Sequence, residues 1–368
     1  MKFAFRADAS VQIGTGHVMR CLTLAEELRR QGHQCLFICR NHEGHLADLI
    51  TQKGFELHLL QPPERLETLA KNVIVPAHAN WLSVPWQTDA NQTHEVLSSY
   101  NADWLIVDHY ALDANWERQL AEVVGQIMVI DDLADREHEC AVLLDQNLGH
   151  EPIDYEALIP STCMKLIGPP FALLRPEFAE LRPASLERRH SPEIKRILIS
   201  LGGVDQANVT GQVLEALSNS TLSPKTELDI VMGGGAPHLE AVKKQASKLH
   251  FQATVSVSVS DMAERMCAAD FSIGGAGSTS WERSCLGLPS IILVIADNQK
   301  EVAKQLGQMK AAIVLECCDL PNYLTLNIGN LLNDIHYMRS LALNASCVTD
   351  GVGVARVMEK LLSRGSNE

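Results

Sequence analysis

Apolar and polar positions in this chain fall into short blocks whose period switches between strand type and helix type. Residues 3–5 form a brief apolar run suited to a central strand, stopped by Arg6, Asp8 and Ser10. From Val18 the period lengthens, with Met19, Leu22, Ala25 and Leu28 at helical spacing and Arg29, Arg30 and Gly32 closing the helix. Residues 35–39 and 55–60 read as two further strands, with a helix over 43–53 between them. Such strand and helix alternation with short turns predicts a parallel, doubly wound sheet. Residues 61–87 break the rhythm with Pro62, Pro63, Pro76, Pro85, Trp81 and Trp86, and read as an insertion over the active cleft or the surface.

The rhythm then resumes. Residues 104–107 form a strand ending in Asp108, His109 and Tyr110, residues 116–124 a helix, and residues 127–130 a strand ending in Asp131 and Asp132. A further strand stops at Asp145, Gln146 and Asn147, and residues 165–174 read as the last extended segment of this half. Residues 175–195, rich in charge and proline without apolar period, read as an interdomain linker. The same grammar restarts at 197–200, ending in Gly202 and Gly203, with Asp205 and Asn208 opening a helix through 217. Strands over 228–232 and 251–255 and helices reaching 249 and 269 follow. The pattern predicts an α/β chain of two Rossmann-like doubly wound domains, 1–180 and 190–350, facing across a cleft. A helix near 352–362, within 351–368, is expected to return to the first domain.

Composition narrows the function. A chain of 368 residues exceeds the size at which one core stops growing. A net charge of -14 argues against nucleic acid or an anionic membrane as the main partner. Ten cysteines, scattered and often inside apolar runs, read as reduced core residues, and none pairs in a CxxC. No metal-ligand spacing, leader or run of membrane length is evident. The expectation is a cytoplasmic, monomeric enzyme for a small molecule, with no cofactor and no metal.

Two stretches carry candidate chemistry. In the first, Gly14 and Gly16 let the backbone approach a ligand, and His17 falls on the first turn of the first helix. The positive helix end there disfavours imidazolium and favours a neutral, base-competent ring. Met19 stands where a dinucleotide fingerprint needs its third glycine, which weakens a nicotinamide reading. Asp108 and Asp131, at strand ends where ligands sit in open parallel sheets, read equally as caps or turn residues. In the second stretch, 271–289, a strand ends in Gly274 and Gly275, a turn passes through Gly277, and Ser278, Thr279 and Ser280 open a helix with Glu282 in its first turn. Small residues at a helix start suit a pyrophosphate. Glu282 reads either as a cap or dipole partner, or as an acceptor for ribose hydroxyls.

FRAD, IGTGHVMRC, DHY, IDD, DQN, LRPEF, SLGG, GGAGSTSWE and ADNQ occur in that order up to about Ala312. Together they resemble the family of hydrolases that release UDP from UDP-2,4-diacetamido-2,4,6-trideoxy-β-L-altropyranose in pseudaminic acid biosynthesis. The resemblance implies a GT-B-like fold related to the UDP-GlcNAc transferase of peptidoglycan lipid assembly, no metal, UDP held mainly by the C-terminal domain, and the histidine of a GxGH loop as base. That histidine is His17, with Tyr110 as sugar-site partner and Ser278, Thr279, Glu282, Asn298 and Gln299 as the UDP-binding positions. Arg6, Asp8, Gly14, Gly16, Asp108, Gly202, Gly203 and Gly277 complete the candidate binding set. The alternatives are a GT-B glycosyltransferase using a UDP-amino sugar, a hydrolysing epimerase of a related pathway, and a nonenzymatic nucleotide-sugar sensor that would need no His17.

Overall fold

The computed structural model describes residues 1–62 and 76–364. It divides into two compact units, one formed by Met1–Leu173 with Gly353–Glu368, the other by Leu174–Val352. In the first, seven strands, β1 (Lys2–Ala7), β2 (Gln34–Arg40), β3 (Glu56–Leu60), β4 (Trp104–Asp108), β5 (Gln126–Ile130), β6 (Val142–Asp145) and β7 (Met164–Ile167), form one sheet. Its order is β3-β2-β1-β4-β5-β6-β7, and every pairing is parallel. Central strands covered on both faces must be apolar throughout, and β4 is buried along its whole length. The edge strand β3 alternates instead. Phe5 of β1 and Phe37 of β2 stack at 4.9 Å in the core that also takes Val18, Leu22 and Leu28 of the first helix, Gly16–Arg30.

The second unit repeats the plan. Strands β8 (Arg196–Ser200), β9 (Glu227–Met232), β10 (Gln252–Val257), β11 (Phe271–Gly275), β12 (Ser290–Val294) and β13 (Ile313–Glu316) pair in the order β10-β9-β8-β11-β12-β13, again all parallel. In both sheets the strand order reverses beside the first strand, at β1/β4 and at β8/β11. Open α/β sheets bind ligands at the carboxyl ends of strands at such a reversal.

Several expectations need correction. Residues 175–195 are no linker, because Pro176–Arg188 is a helix with Pro176 in its first turn. Its buried residues are Phe178 and Ser185, with Arg182 beside them, so it shows no apolar period. Arg182 donates to the carbonyls of Cys285 and Ser346, Ser185 to Leu286, and Arg189 to Ala269 and Met266. The expected last extended segment is only β7 followed by the tight turn Pro169–Phe171. Of the proposed insertion, residues 63–75 lie outside the described residues. The rest contains the turn Ala79–Leu82 and the start of the helix Trp86–Tyr100. The helices expected over 43–53 and 116–124 are Ala47–Gln52 and Ala114–Leu120, the latter capped by Asp113, which accepts from the Asn115 N–H at 2.9 Å. The last helix, Gly353–Arg364, sits in the first unit, where Val354, Val357, Met358 and Leu361 enter its core. A side chain at Gly353 would strike the Ala172 carbonyl at 2.3 Å, which explains the glycine.

Candidate functional site

At the β1/β4 reversal, His17 opens its helix and Asp108 ends β4. Its Nδ1 lies 2.6 Å from Asp108 Oδ1, so Nδ1–H donates to the carboxylate, and in the neutral ring Nε2 is the acceptor. Arg20, one turn along the same helix, clamps Asp108 with Nε at 2.6 Å and Nη2 at 2.7 Å, and reaches Asp132 with Nη1 at 3.1 Å. Burial alone would raise the Asp108 pKa. Arg20 and His17 outweigh it and hold the carboxyl well below its usual range, which keeps it ionised at neutral pH. Asp108 is completely buried, and both of its oxygens are engaged by His17 and Arg20.

Aromatic rings surround the histidine. Tyr110 stands edge-on to His17 at 4.7 Å and stacks on Trp81 at 5.5 Å, while His78 packs against both. The Tyr110 hydroxyl donates to Asp132, and burial beside that carboxylate pushes the phenol pKa far up. The Tyr110 hydroxyl is thus engaged by Asp132 while its ring flanks His17. Asn147 Nδ2 donates to Asp132 at 3.0 Å and ties the β6 end into the same network.

Arg6 and Asp8 lie at the carboxyl end of β1. Both are completely buried, with Arg6 donating to Asp8 at 2.6 and 2.9 Å and to Asp89 at 2.7 Å. Asp8 accepts from the Arg40 N–H at 2.6 Å and has His109 Nε2 at 3.2 Å, and Trp116 Nε1 reaches Asp89 at 3.1 Å. Burial would raise the Asp8 pKa, and Arg6 overcomes it. This lattice joins β1, β2 and the helix Trp86–Tyr100 and engages both residues. Gly14, at φ +81°, bonds its N–H to the Ser10 carbonyl at 2.8 Å and turns the chain so that Gly16 can start the helix.

In the second unit, Gly202 and Gly203 follow β8 and Gly274 and Gly275 end β11, at the equivalent reversal. The backbones are crowded here: a Cβ at Gly233 would meet the Gly203 carbonyl at 2.0 Å. Gly202 takes φ +94°, and no atom lies within 4 Å of where a Cβ would stand on either Gly202 or Gly203. The loop at Gly277 and Ser278 leads into the helix Thr279–Cys285, with Ser278 exposed and Thr279 half-buried. Gln299 Oε1 accepts from the N–H of Ala276 at 3.2 Å and so braces the glycine turn, while Asn298 stays exposed. Glu282 lies in the first turn of the helix Thr279–Cys285, whose N-cap residue Ser278 makes no side-chain cap bond. The Glu282 side chain is 18% exposed and 3.8 Å from Arg175 Nη2, and burial lifts its pKa to about 7 against the pull of Arg175 and Arg283. Beneath the loop, buried Arg283 donates to the Gly275 carbonyl and, at 3.0 Å, to Ser280 Oγ.

Sequence reasoning missed Arg20, Trp81, His78 and the brace at Arg283. Arg20 carried a signal, because residues three apart share a helix face with His17. The aromatic wall lay in a stretch without periodicity.

Residues 197–352 match the glycosyltransferase family 28 C-terminal domain. UDP-2,4-diacetamido-2,4,6-trideoxy-beta-L-altropyranose hydrolase of Campylobacter jejuni is 26% identical over 84% of this chain and 97% of its own. Spore coat polysaccharide biosynthesis protein SpsG of Bacillus subtilis is 29% identical over 45% of this chain and 49% of its own. Among solved structures, MurG of Acinetobacter baumannii superposes with TM-score 0.67 at 15% identity over 98% of this chain and 99% of its own. Anabaena HepE in complex with UDP does so with TM-score 0.59 at 13% identity over 99% and 100%. The chain is thus similar along most of its length to the Campylobacter hydrolase and has a GT-B-like fold, with a match to the glycosyltransferase family 28 C-terminal domain in its second half.

Proposed function

We propose that this protein hydrolyses a UDP-linked 2,4-diacetamido-2,4,6-trideoxy sugar, releasing UDP and the free sugar for nonulosonic acid biosynthesis. The observation that carries the reading is the His17–Asp108 pair, a histidine with Nδ1 committed to a buried carboxylate and Nε2 left as an acceptor. The second unit is assigned the nucleotide, with its glycine-lined strand ends and the Ser278 turn around the diphosphate and Glu282 accepting from the ribose. Similarity to a named UDP-sugar hydrolase supports the substrate class.

In the proposed step a water oxygen attacks the anomeric carbon while His17 Nε2 takes its proton. The C1–O bond breaks, its electron pair leaves on the β-phosphate oxygen of UDP, and Asp108 stabilises the imidazolium. UDP is a stable anion, so the leaving group needs electrostatic support more than a strong acid. Attack from the face opposite the leaving group inverts the anomeric configuration. The aromatic wall of Tyr110, Trp81 and His78 limits competing water around His17.

The family 28 match favours a second reading, transfer of the sugar to an acceptor hydroxyl. Coupled detection of UDP in the presence of nucleotide sugar alone separates the two. Hydrolysis requires steady multiple turnover without acceptor, whereas a strict transferase releases no more than a trace.

A further inference from the structure

We propose that His150 is a second substrate-binding side chain of the first domain, donating a hydrogen bond from Nε2 to an acceptor oxygen of the substrate's sugar. This rests on the nucleotide-sugar reading above. The geometry repeats that of His17. Strand β6 ends at Asp145, and a turn through Gly149, at φ +119°, carries the chain back so that His150 Nδ1 lies 2.7 Å from Asp145 Oδ2. Tyr155 stands edge-on to the ring at 5.8 Å and donates to the same carboxylate at 3.0 Å. His17 likewise has Nδ1 on a strand-end carboxylate and a tyrosine edge-on.

The two pairs belong to one network. The Asn147 N–H donates to Asp145 at 2.8 Å, and its side chain reaches Asp132, which Arg20 joins to Asp108. Asp108 and Asp145 end strands separated only by β5, so their carboxyls stand on the order of 10 Å apart across the same edge of the sheet. That is the span of one substituted pyranose. Asp145 is fully buried, while the His150 side chain is 26% exposed, which leaves Nε2 as the outward nitrogen. The hydrogen bond that His150 Nδ1–H donates to Asp145 raises the imidazole pKa, against the effect of its own burial, and this favours the form with a proton on Nε2 as well. Nothing in the hydrolytic step uses this side chain, and a turn alone does not need a buried carboxylate to hold an imidazole at its rim.

The test compares His150→Ala and His150→Gln in the His17→Asn background, measuring calorimetric affinity for the UDP-sugar and for UDP. We expect His150→Ala to bind the UDP-sugar at least tenfold more weakly with UDP affinity unchanged, and Gln, which still offers an N–H, to recover part of the loss. Unchanged UDP-sugar affinity would overturn the assignment, as would an equal loss for UDP, which would place the contact on the nucleotide. A lower melting temperature with both affinities intact would make the pair a turn brace only. Failure of the hydrolase reading is a separate outcome, absence of UDP release by the unmodified protein, and the binding comparison still reads His150 in that case.

Discussion

At the residue scale the account turns on His17, Asp108 and Glu282. His17→Asn should keep the fold and the UDP affinity and lose turnover by roughly a hundred- to ten-thousandfold, the usual worth of a positioned base. Steady-state kinetics beside UDP calorimetry checks this, and near-parental kcat would remove the base. Asp108→Asn keeps the shape but no longer selects the Nδ1–H tautomer, so kcat should fall by about ten-thousandfold with little change in UDP binding. Glu282 gives a pH signature. Its folded pKa, about 7, is raised, so the ligand-free carboxyl is protonated below that pH, whereas ribose hydroxyls need the carboxylate as acceptor. UDP affinity should therefore weaken as pH falls below 7, by up to about tenfold per unit, with Glu282→Gln removing that component. Identical pH profiles for the two proteins would show that Glu282 does not meet the nucleotide.

At the scale of elements, the sequence was legible where burial writes a period and silent where it does not. Central strands such as β4 and β12 are buried at every position, and their apolar runs announce them. The helix Pro176–Arg188 is invisible because, apart from Phe178, its inner face holds Arg182 and Ser185, which satisfy carbonyls and write no apolar period. Asp108 was legible as a strand end, yet its pairing with His17 was not, because it depends on β4 lying beside β1, 91 residues apart at the contact. The network around Arg6 and Asp8 was hidden for a similar reason: it is made with Asp89 and Arg40, from distant elements. The last helix gives a stability prediction. Leu361 is fully buried in the first unit, so Leu361→Ala should cost about 2 to 5 kcal/mol in denaturant unfolding. A loss under about 0.5 kcal/mol would mean that this helix does not complete that core.

At the scale of the whole molecule, two sheets with the same reversed strand order each place a small set of polar or glycine-rich strand ends at the reversal. Among the described residues no group of three or more His, Cys, Asp or Glu is arranged to hold a metal, and no helix is long and apolar enough to cross a membrane. Activity should survive exhaustive EDTA treatment if backbone N–H groups hold the diphosphate. Loss restored by magnesium or manganese would reverse that reading. The most direct test of the central claim, water activated by His17 and delivered to the anomeric carbon, is the reaction run in oxygen-18 water with mass analysis of both products. The account predicts one heavy oxygen on the anomeric carbon of the free sugar and none in UDP. Label in a phosphate, or UMP and sugar 1-phosphate as products, would contradict it.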